Sequence, residues 1–596
     1  MEMKDFRLYR LFVRCMEELA IKERISYTEF HKVCKPTIYK YLPEKIKEEY
    51  KDFCDEYFSD SSNNLDLNTL LQFYTDYILE FHSIPNDREV KEETSINPKK
   101  YFKDAKSLKE ALINFNSTIA DYLFNETDID EDYKKNLEEE VRKHRRFIIT
   151  TAVSSKKVDE GFLNSIKYYA NKFNAMVIGL PCEDVASRKS IVKWDLDYRL
   201  KDFWVAFEDV YLNKNVCIST IETSAKMINP LTGLDRCVQR KDATLIVASP
   251  KQFLKYIPNV PNKLPMGLMT TGAITEGNYD TDYYMSKRTS ALAESDHKVG
   301  AIIVEVENDN IFHFRQIQAS ETGSFYDLGI EYLPSGGERL ADEVTMVVGD
   351  SHCGMHDEEL LEAILNSVES IPAIKNLILH DVFNASSISH HDIGKIAIKA
   401  SKANDGLSSL KKEGLVVKNY LERISKYADN IVIVKANHDE HLDRYLEEGR
   451  FVYDPENFYF SLDLCKKYIE GDDPLRYMLV DKLGMKVDNI TWLRGDETFN
   501  RYGIEFGYHG SRGANGGKGN PRTFENGLGK CVIAHSHSAQ IFRDVYYVGT
   551  SSQLDMKYNK GLSSWTRTCC LCYPDGSRQL INYIPVNGQY KWRLEK

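Results

Sequence analysis

The chain has 596 residues, more than one hydrophobic core usually accommodates, so about two to four domains are expected. Its 42% hydrophobic and 28% charged content indicates a globular protein, and no apolar run approaches the ~18 residues of a membrane span. The net charge of −12 predicts no broadly basic surface, so a nucleic-acid partner would need a local basic patch or bound metal ions.

The beginning of the chain and its cysteines indicate a reducing compartment. Residues 1–20 alternate charged and apolar side chains and lack the continuous apolar core of a signal peptide. The twelve cysteines have no disulfide-framework spacing, and Cys569 and Cys572 lie in a run that reads as a strand. We therefore expect structural thiols and a cytoplasmic location.

Residues 1–146 are predicted to be helical, because apolar residues recur at three- and four-residue spacing. Residues 25–42 predict two short helices, the second of which begins near Thr37, Tyr39 and Lys40. These hydroxyls and this cation suit phosphate contacts of a DNA-binding module. An ordinary helical hairpin is the alternative.

A second helical unit, residues 82–115, is loosely similar to the small helical repeats that accompany homing endonucleases and other phage DNA-binding proteins. Its basic and aromatic residues Lys99, Lys100, Tyr101 and Lys103 are candidates for contacts with a DNA backbone. A merely solvated helix face explains them equally well.

From residue 147 the pattern changes to strand, helix and strand, which predicts a β-α-β unit with parallel strands. Later apolar runs predict a hairpin at residues 301–319. The segment contains no glycine-rich dinucleotide fingerprint. We predict an α/β domain over residues 147–340, and the sequence does not disclose its role.

From residue 341 onward, potential metal ligands repeatedly follow apolar runs. Asp350 and His352 come directly after the predicted strand 344–348, which Gly349 ends. Five further candidate ligands also follow predicted strands: Asp381, Asn437, His509, His535 and His537. Because strand ends in α/β proteins meet at one sheet edge, we expect these side chains to gather there.

The chemistry of these seven residues predicts two metal ions. Oxygen and imidazole ligands without thiolate suit Mn, Fe, Zn or Mg rather than a cysteine-rich structural zinc site. Seven ligands are too many for one ion but fit two ions that share a carboxylate.

The order D-x-H, D, N-H-D, H, H-x-H resembles the motifs of the calcineurin-like metallophosphoesterases. The resemblance covers about residues 344–555 and implies a β-sandwich, flanked by helices, within 341–596. It implies two divalent cations, Mn²⁺ foremost and Mg²⁺ as the alternative. One cation would take Asp350, His352 and His537, the other would take Asn437, His509 and His535, and Asp381 would bridge them.

The same resemblance implies that His438 is the general acid and that Asp439 orients it. The chain departs from the family pattern at three neighbouring positions, where His380, Ala436 and Ala534 replace glycines. These changes keep every metal-binding atom. They affect most the second motif, the one that contains Asp381.

Within this superfamily, the helical N-terminal region resembles the Mre11/SbcD-like nuclease branch, and the domain order resembles phage nucleases that degrade host DNA. That implies a DNA partner, a homo-oligomer and action in the cytoplasm of an infected bacterium. The glycine-rich basic stretch 501–530 would then supply Arg512 and Lys518 to the DNA backbone. His390 and His391 are further candidates for substrate contacts.

Two other functions fit the same sequence. A phosphatase or a cyclic-nucleotide phosphodiesterase would use the same metal site without helical DNA-binding modules. A non-catalytic DNA-binding or scaffold protein would retain the site as a relict, and the intact ligand set argues against it. His441 has no assigned role and reads as helix surface.

Overall fold

The computed structural model describes residues 61–184, 190–260, 263–279, 287–495, 497–556 and 559–595. The predicted helix pair at residues 25–42, with Thr37, Tyr39 and Lys40, lies outside this part of the chain. The contacts divide the chain into two compact units. The first falls within Met1–Lys134, Ala152–Lys157 and Pro181–Asp202, and the second within Lys135–Thr151, Val158–Leu180 and Phe203–Lys596.

The α-helices of the described residues are labelled in chain order. They are α1 Ser61–Phe81, α2 Asp87–Thr94, α3 Ala105–Phe115, α4 Glu131–Lys143, α5 Glu160–Phe173, α6 Asp235–Lys241, α7 Lys287–Ser295, α8 Glu358–Ser370, α9 Ile396–Asn404, α10 Leu410–Ile424, α11 Glu440–Glu447, α12 Phe458–Ile469, α13 Pro474–Tyr477 and α14 Pro521–Leu528. Throughout the described ranges, each helix is too short or too polar to cross a lipid bilayer.

The strands are labelled in the same way. They are β1 Arg146–Val153, β2 Met176–Cys182, β3 Trp204–Val205, β4 Val210–Asn213, β5 Val216–Ser219, β6 Thr244–Val247, β7 Phe253–Ile257, β8 Met266–Thr270, β9 Gly300–Val306, β10 Phe312–Gln318, β11 Phe325–Asp327, β12 Ile330–Leu333, β13 Gly337–Leu340, β14 Val344–Val347, β15 Ile374–His380, β16 Asn430–Val434, β17 Ile490–Trp492, β18 Asn500–Arg501, β19 Ile504–Glu505, β20 Cys531–Ile533, β21 Gln540–Phe542, β22 Val545–Tyr547, β23 Thr568–Cys572, β24 Arg578–Asn582, β25 Ile584–Val586 and β26 Gln589–Lys591.

Helices α1, α2 and α3 form the core of the first unit. Leu70, Tyr74 and Ile78 of α1 pack in one buried cluster with Leu108 and Leu112 of α3. Asn86 and Asp104 begin α2 and α3 with capping boxes, in which each side chain accepts a backbone N–H of the first turn. Most of the described residues from 61 to 115 are therefore helical, and a separate helical domain over residues 1–146 stays a prediction.

A six-stranded sheet in the second unit has the order β17-β16-β15-β14-β23-β24. Strands β14 to β17 pair in parallel, whereas β23 pairs antiparallel with β14 and with β24. Strand β14 is buried along its whole length, as a parallel strand covered on both faces should be. The carboxyl ends of β14, β15 and β16 therefore meet at one sheet edge.

A ten-stranded sheet has the order β18-β19-β20-β22-β21-β7-β8-β6-β5-β4. It combines strands from both sides of residue 340, because β21 pairs with β7. The predicted boundary between 147–340 and 341–596 thus falls inside the second unit, and the three-domain division stays a prediction. The predicted hairpin is confirmed as the antiparallel pair β9 and β10.

Three details of the second unit lie outside its regular sheet pairing. Helices α9 and α10 are separate, and Gly406 between them has φ +71°, a conformation that glycine adopts readily. Helix α14 lies within the glycine-rich basic stretch 501–530, and Asn520 and Pro521 form its cap and first residue. Strand β20 pairs in parallel with both β19 and β22.

The run that contains Cys569 and Cys572 is confirmed as strand β23. All the cysteines in the described part of the chain are free. The interpretation of these residues as packed thiols agrees with their burial.

Candidate metal centre

The first ligand pair occupies a tight turn after β14. A Cβ at Gly349 would lie 2.7 Å from the carbonyl oxygen of Gly549, so only glycine allows the two backbones to approach this closely. Beyond it, the backbone N–H of His352 donates to the carbonyl of Asp381 at 2.7 Å. The turn after β14 is thereby joined to the turn after β15, and ligands from both strands meet.

Four of the predicted ligands form one buried group. Ligand atoms of Asp350, His352, Asp381 and His537 all lie within 4.8 Å of one another. Nε2 of His537 is 3.0 Å from a carboxylate oxygen of Asp350 and 3.1 Å from Nε2 of His352. Nε2 of His352 lies 3.7 Å from Oδ2 of Asp381. This buried group could bind a metal ion.

The other predicted ligands meet at Asn437. Its Oδ1 lies 2.9 Å from Nε2 of His509 and 3.0 Å from Nδ1 of His535. The same nitrogen of His509 is 3.3 Å from Oδ2 of Asp381. Asp381 therefore contacts both groups, with His352 on one side and His509 on the other.

Buried ligand atoms in these groups have no hydrogen-bond partner. They are the Nδ1 atoms of His352, His509 and His537. The buried carboxylate of Asp350 faces nitrogens of His537 and His509, at 3.0 and 3.9 Å, and a buried carboxylate is costly unless hydrogen bonds or a positive charge compensate it. The donor set and its burial thus fit a divalent cation of the kind that oxygen and imidazole ligands prefer.

The electrostatics of the centre are dominated by the two carboxylates. Burial would raise the pKa of Asp381, but the adjacent His509 and His438 outweigh burial and hold this pKa well below its usual range. Burial likewise opposes the charged form of His509, yet Asp381 and Asp350 raise its pKa to about 9. Burial lowers the pKa of His352 to about 3, so its imidazole is neutral and able to bind metal.

The backbone at the ligands is strained. His352, Asp381, His535 and His537 all have positive φ, between 42° and 67°, which is uncommon for residues with a side chain. Such conformations cost on the order of 1–3 kcal/mol each and cluster at functional sites. Their concentration at the ends of strands supports a functional interpretation of the cluster.

His438 lies beside this centre. Its ring centroid is 4.6 Å from that of His352, and its backbone N–H donates to Asp381 at 3.2 Å. The sequence predicted that Asp439 would contact His438 and orient its ring. Instead, Nδ1 of His438 pairs with the carbonyl oxygen of Asn384 at 3.0 Å. Asp439 instead accepts the backbone N–H groups of Phe383 and Ala436, each at 3.0 Å.

The predicted substrate contacts lie on two segments. Arg512 is exposed and forms a 2.6 Å ion pair with Glu440, the first residue of α11. Lys518 is exposed and is bridged to Arg512 through the backbone. The rings of His390 and His391 are tilted by 39° to each other, with a centroid distance of 3.8 Å. The ring of His390 is 4.7 Å from that of His441, which is half-buried rather than plain helix surface.

Three residues beside the centre were not predicted from the sequence. The carbonyl of Asn384 binds His438, His441 has its ring 4.9 Å from that of His438, and the ring of Trp565 packs edge-on against His537 at 4.2 Å. Of these, only His441 carries a signal in the sequence, since it lies three residues after His438 and so on the same face of a helical turn. His380, which replaces a family glycine, is fully buried and packs its ring 5.6 Å from that of His509.

Comparison with known proteins gives a phage relative. The chain is similar to Protein A1 of Escherichia phage T5, with 28% identity over 478 residues that cover 76% of this chain and 84% of that protein. No protein-family model and no solved structure matches the chain.

Proposed function

We propose that this protein is a metal-dependent DNA nuclease that hydrolyses phosphodiester bonds with two divalent cations. The observation that carries the proposal is the position of Asp381. It lies 3.7 Å from His352 and 3.3 Å from His509, between the two groups of ligands. One carboxylate in this position is suited to bridge two cations, as the resemblance to the calcineurin-like metallophosphoesterases implies.

The assignment of residues follows the two groups. Asp350, His352 and His537 would hold one cation, and Asn437, His509 and His535 would hold the other. When bound, the pair would polarise a phosphodiester and make water a stronger nucleophile. Mn²⁺ suits this mixture of carboxylate, amide and imidazole ligands best, with Mg²⁺ as the alternative.

His438 would donate the proton to the leaving oxygen. The carbonyl of Asn384 can only accept a hydrogen bond, so Nδ1 of His438 must carry a hydrogen. That leaves Nε2 as the nitrogen that exchanges a proton. Asp439 would act less directly, because its carboxylate holds the backbone of Phe383 and Ala436 on either side of the acid.

DNA as the substrate is supported by the local charges near the centre. The net charge of −12 requires a local basic contact, and Arg512 and Lys518 lie on the segment that follows the ligand His509. Arg512 would exchange its partner Glu440 for a phosphate. Lys99, Lys100 and Lys103 are the further candidates in the helical unit.

The biological setting of the proposal comes from the similarity to the T5 protein. A phage nuclease of this kind would degrade host DNA in the cytoplasm of an infected bacterium. We propose a homo-oligomer as the active form, as the resemblance implies. The role of residues 147–340 would be to support the ten-stranded sheet from which His509 and His535 project.

Incubation of the purified full chain with plasmid and linear DNA tests this function. We expect cleavage with Mn²⁺, weaker cleavage with Mg²⁺ and none with EDTA. Parallel reactions with a phosphomonoester and a cyclic nucleotide separate the alternatives. Intact DNA with turnover of either small substrate would indicate a phosphatase or a cyclic-nucleotide phosphodiesterase. No turnover of any substrate would favour a DNA-binding or scaffold protein.

A further inference from the structure

Three histidines form a second cluster beside the candidate metal centre. One nitrogen each of His390, His391 and His441 lies within 4.8 Å of the other two. The rings of His390 and His391 are 3.8 Å apart, and that of His441 meets them at 4.7 and 6.1 Å. The cluster joins two segments of the chain, the turn at residues 386–392 and the first turn of α11.

One nitrogen of this cluster is buried and unpartnered. It is Nδ1 of His390, which has no hydrogen-bond partner. Burial, followed by the neighbouring His438 and His390, lowers the pKa of His441 to about 3. Burial and His391 also lower the pKa of His390. The lowered pKa values favour the uncharged imidazoles of His390 and His441, which offer lone pairs to a metal and little attraction to an anion.

The turn that carries His390 and His391 is held in place from both sides. The carboxylate of Glu413 accepts the backbone N–H groups of Ser386 and Ser387 at 2.7 and 2.9 Å. Lys402 donates to the carbonyl of Ser386 and to the carboxylate of Asp392. These contacts fix the two histidines before any ligand arrives, which lowers the cost of binding one.

Two arginines that act electrostatically on His390 are themselves paired. Arg444 and Arg450 both bind Glu448, at 2.7 and 2.9 Å. Arg450 also donates to the carbonyl of Ile388 at 2.9 Å, which ties it to the same turn. The guanidinium groups therefore have partners of their own, and Glu448 offsets part of their repulsion of a further cation.

We propose that His390, His391 and His441 bind a divalent transition-metal ion of their own, separate from the ions of the Asp381 centre. Three imidazoles without a carboxylate select Zn²⁺, Co²⁺ or Ni²⁺ over Mn²⁺ and Mg²⁺. His391 is exposed, so water or another small ligand can complete the coordination, as in open three-histidine zinc sites. This site does not depend on the proposed nuclease activity.

The test compares metal binding by two sets of variants of the full chain. EDTA-stripped protein is titrated with Zn²⁺, and bound metal is counted by elemental analysis after desalting. We expect the triple variant His390→Asn, His391→Asn, His441→Asn to bind one Zn²⁺ fewer per chain than wild type. The double variant Asp350→Asn, Asp381→Asn should keep that Zn²⁺, because its histidine cluster is intact.

A cobalt spectrum and a matched control sharpen the result. Co²⁺ added to the Asp350/Asp381 double variant should give visible absorption that His391→Asn removes and His144→Asn leaves unchanged. His391 is exposed, so this single substitution should not affect folding, and its affinity for Zn²⁺ should fall at least about tenfold. Equal Zn²⁺ counts and affinities in wild type, the triple variant and His391→Asn would overturn the proposal. It would also be overturned if the triple variant lost binding of inorganic phosphate but kept its Zn²⁺. None of these readouts uses DNA or turnover, so the result is independent of the nuclease test.

Discussion

Oδ2 of Asp381 lies 3.3 Å from Nε2 of His509, although the two residues are far apart in the sequence and follow strands of different sheets. Asp381 follows β15 of the six-stranded sheet, and His509 follows β19 of the ten-stranded sheet. This contact places the edges of both sheets at one centre.

Replacing Asp381 should empty both metal positions. Because its carboxylate lies between the two ligand groups, Asp381→Ala removes a ligand from each. Elemental analysis of Mn²⁺-loaded protein should find close to two ions per wild-type chain and fewer than one in the variant. Asp405→Ala, at an exposed position after α9, is the matched control. Normal occupancy in Asp381→Ala would rule out the bridging role.

The metal-free protein should lose stability between about pH 6.5 and pH 9. The two carboxylates raise the pKa of buried His509 to about 9 from its ordinary 6.5. A raised pKa in the folded state stabilises the protein fully below pH 6.5, and this contribution disappears as pH rises through 9. The contribution lost is on the order of 3 kcal/mol.

Thermal melting in EDTA and in Mn²⁺ measures this dependence. The Tm in EDTA should fall across the window, whereas Mn²⁺ replaces the proton on His509 and should remove the fall. His509→Asn should show no such decline in EDTA. A decline of equal size in His509→Asn would assign the effect to other groups.

Arg512→Ala should weaken DNA binding and reduce its salt dependence. If Arg512 contacts one phosphate, the slope of log K against log salt should fall by about one. Lys518→Ala should act in the same direction. Binding can be followed by fluorescence anisotropy of a labelled duplex in Ca²⁺, with Lys412→Ala on the exposed face of α10 as the control. An unchanged slope in both variants would show that Arg512 and Lys518 do not contact the DNA.

His438→Ala should separate binding from cleavage. The variant keeps every proposed metal ligand, so metal content and DNA affinity should match those of wild type. Loss of a general acid commonly lowers the rate by about 10²–10⁴-fold. Single-turnover cleavage of a duplex measures the effect, with His144→Ala as the control. A wild-type rate in His438→Ala would move the acid role to another residue.

The sequence was informative about the centre because each ligand follows a buried apolar run. Parallel strands end at the same sheet edge, so the proximity of Asp350, Asp381 and Asn437 could be predicted from their positions alone. The strands β14 and β15 and the helix α8 could be predicted for the same reason, since their periodicity is strong.

Other features depend on pairings that no local pattern encodes. Strand β21 pairs with β7, which lies almost three hundred residues earlier in the chain, and this pairing joins the ten-stranded sheet. The contact of His438 with the carbonyl of Asn384 depends on the path of a loop, and the sequence therefore predicted Asp439 at that contact instead. His441 belongs to a cluster whose other members come from a separate turn.

The most direct test of the central claim is the rate of DNA cleavage in Mn²⁺ by wild type and by Asp381→Ala. Supercoiled plasmid and purified full-length protein suffice, with Asp405→Ala as the control and EDTA as the blank. The proposed function predicts rapid loss of supercoiled DNA with wild type and with Asp405→Ala, and a rate at least about 10³-fold lower with Asp381→Ala. Equal rates in wild type and Asp381→Ala, or intact plasmid with wild type, would contradict it.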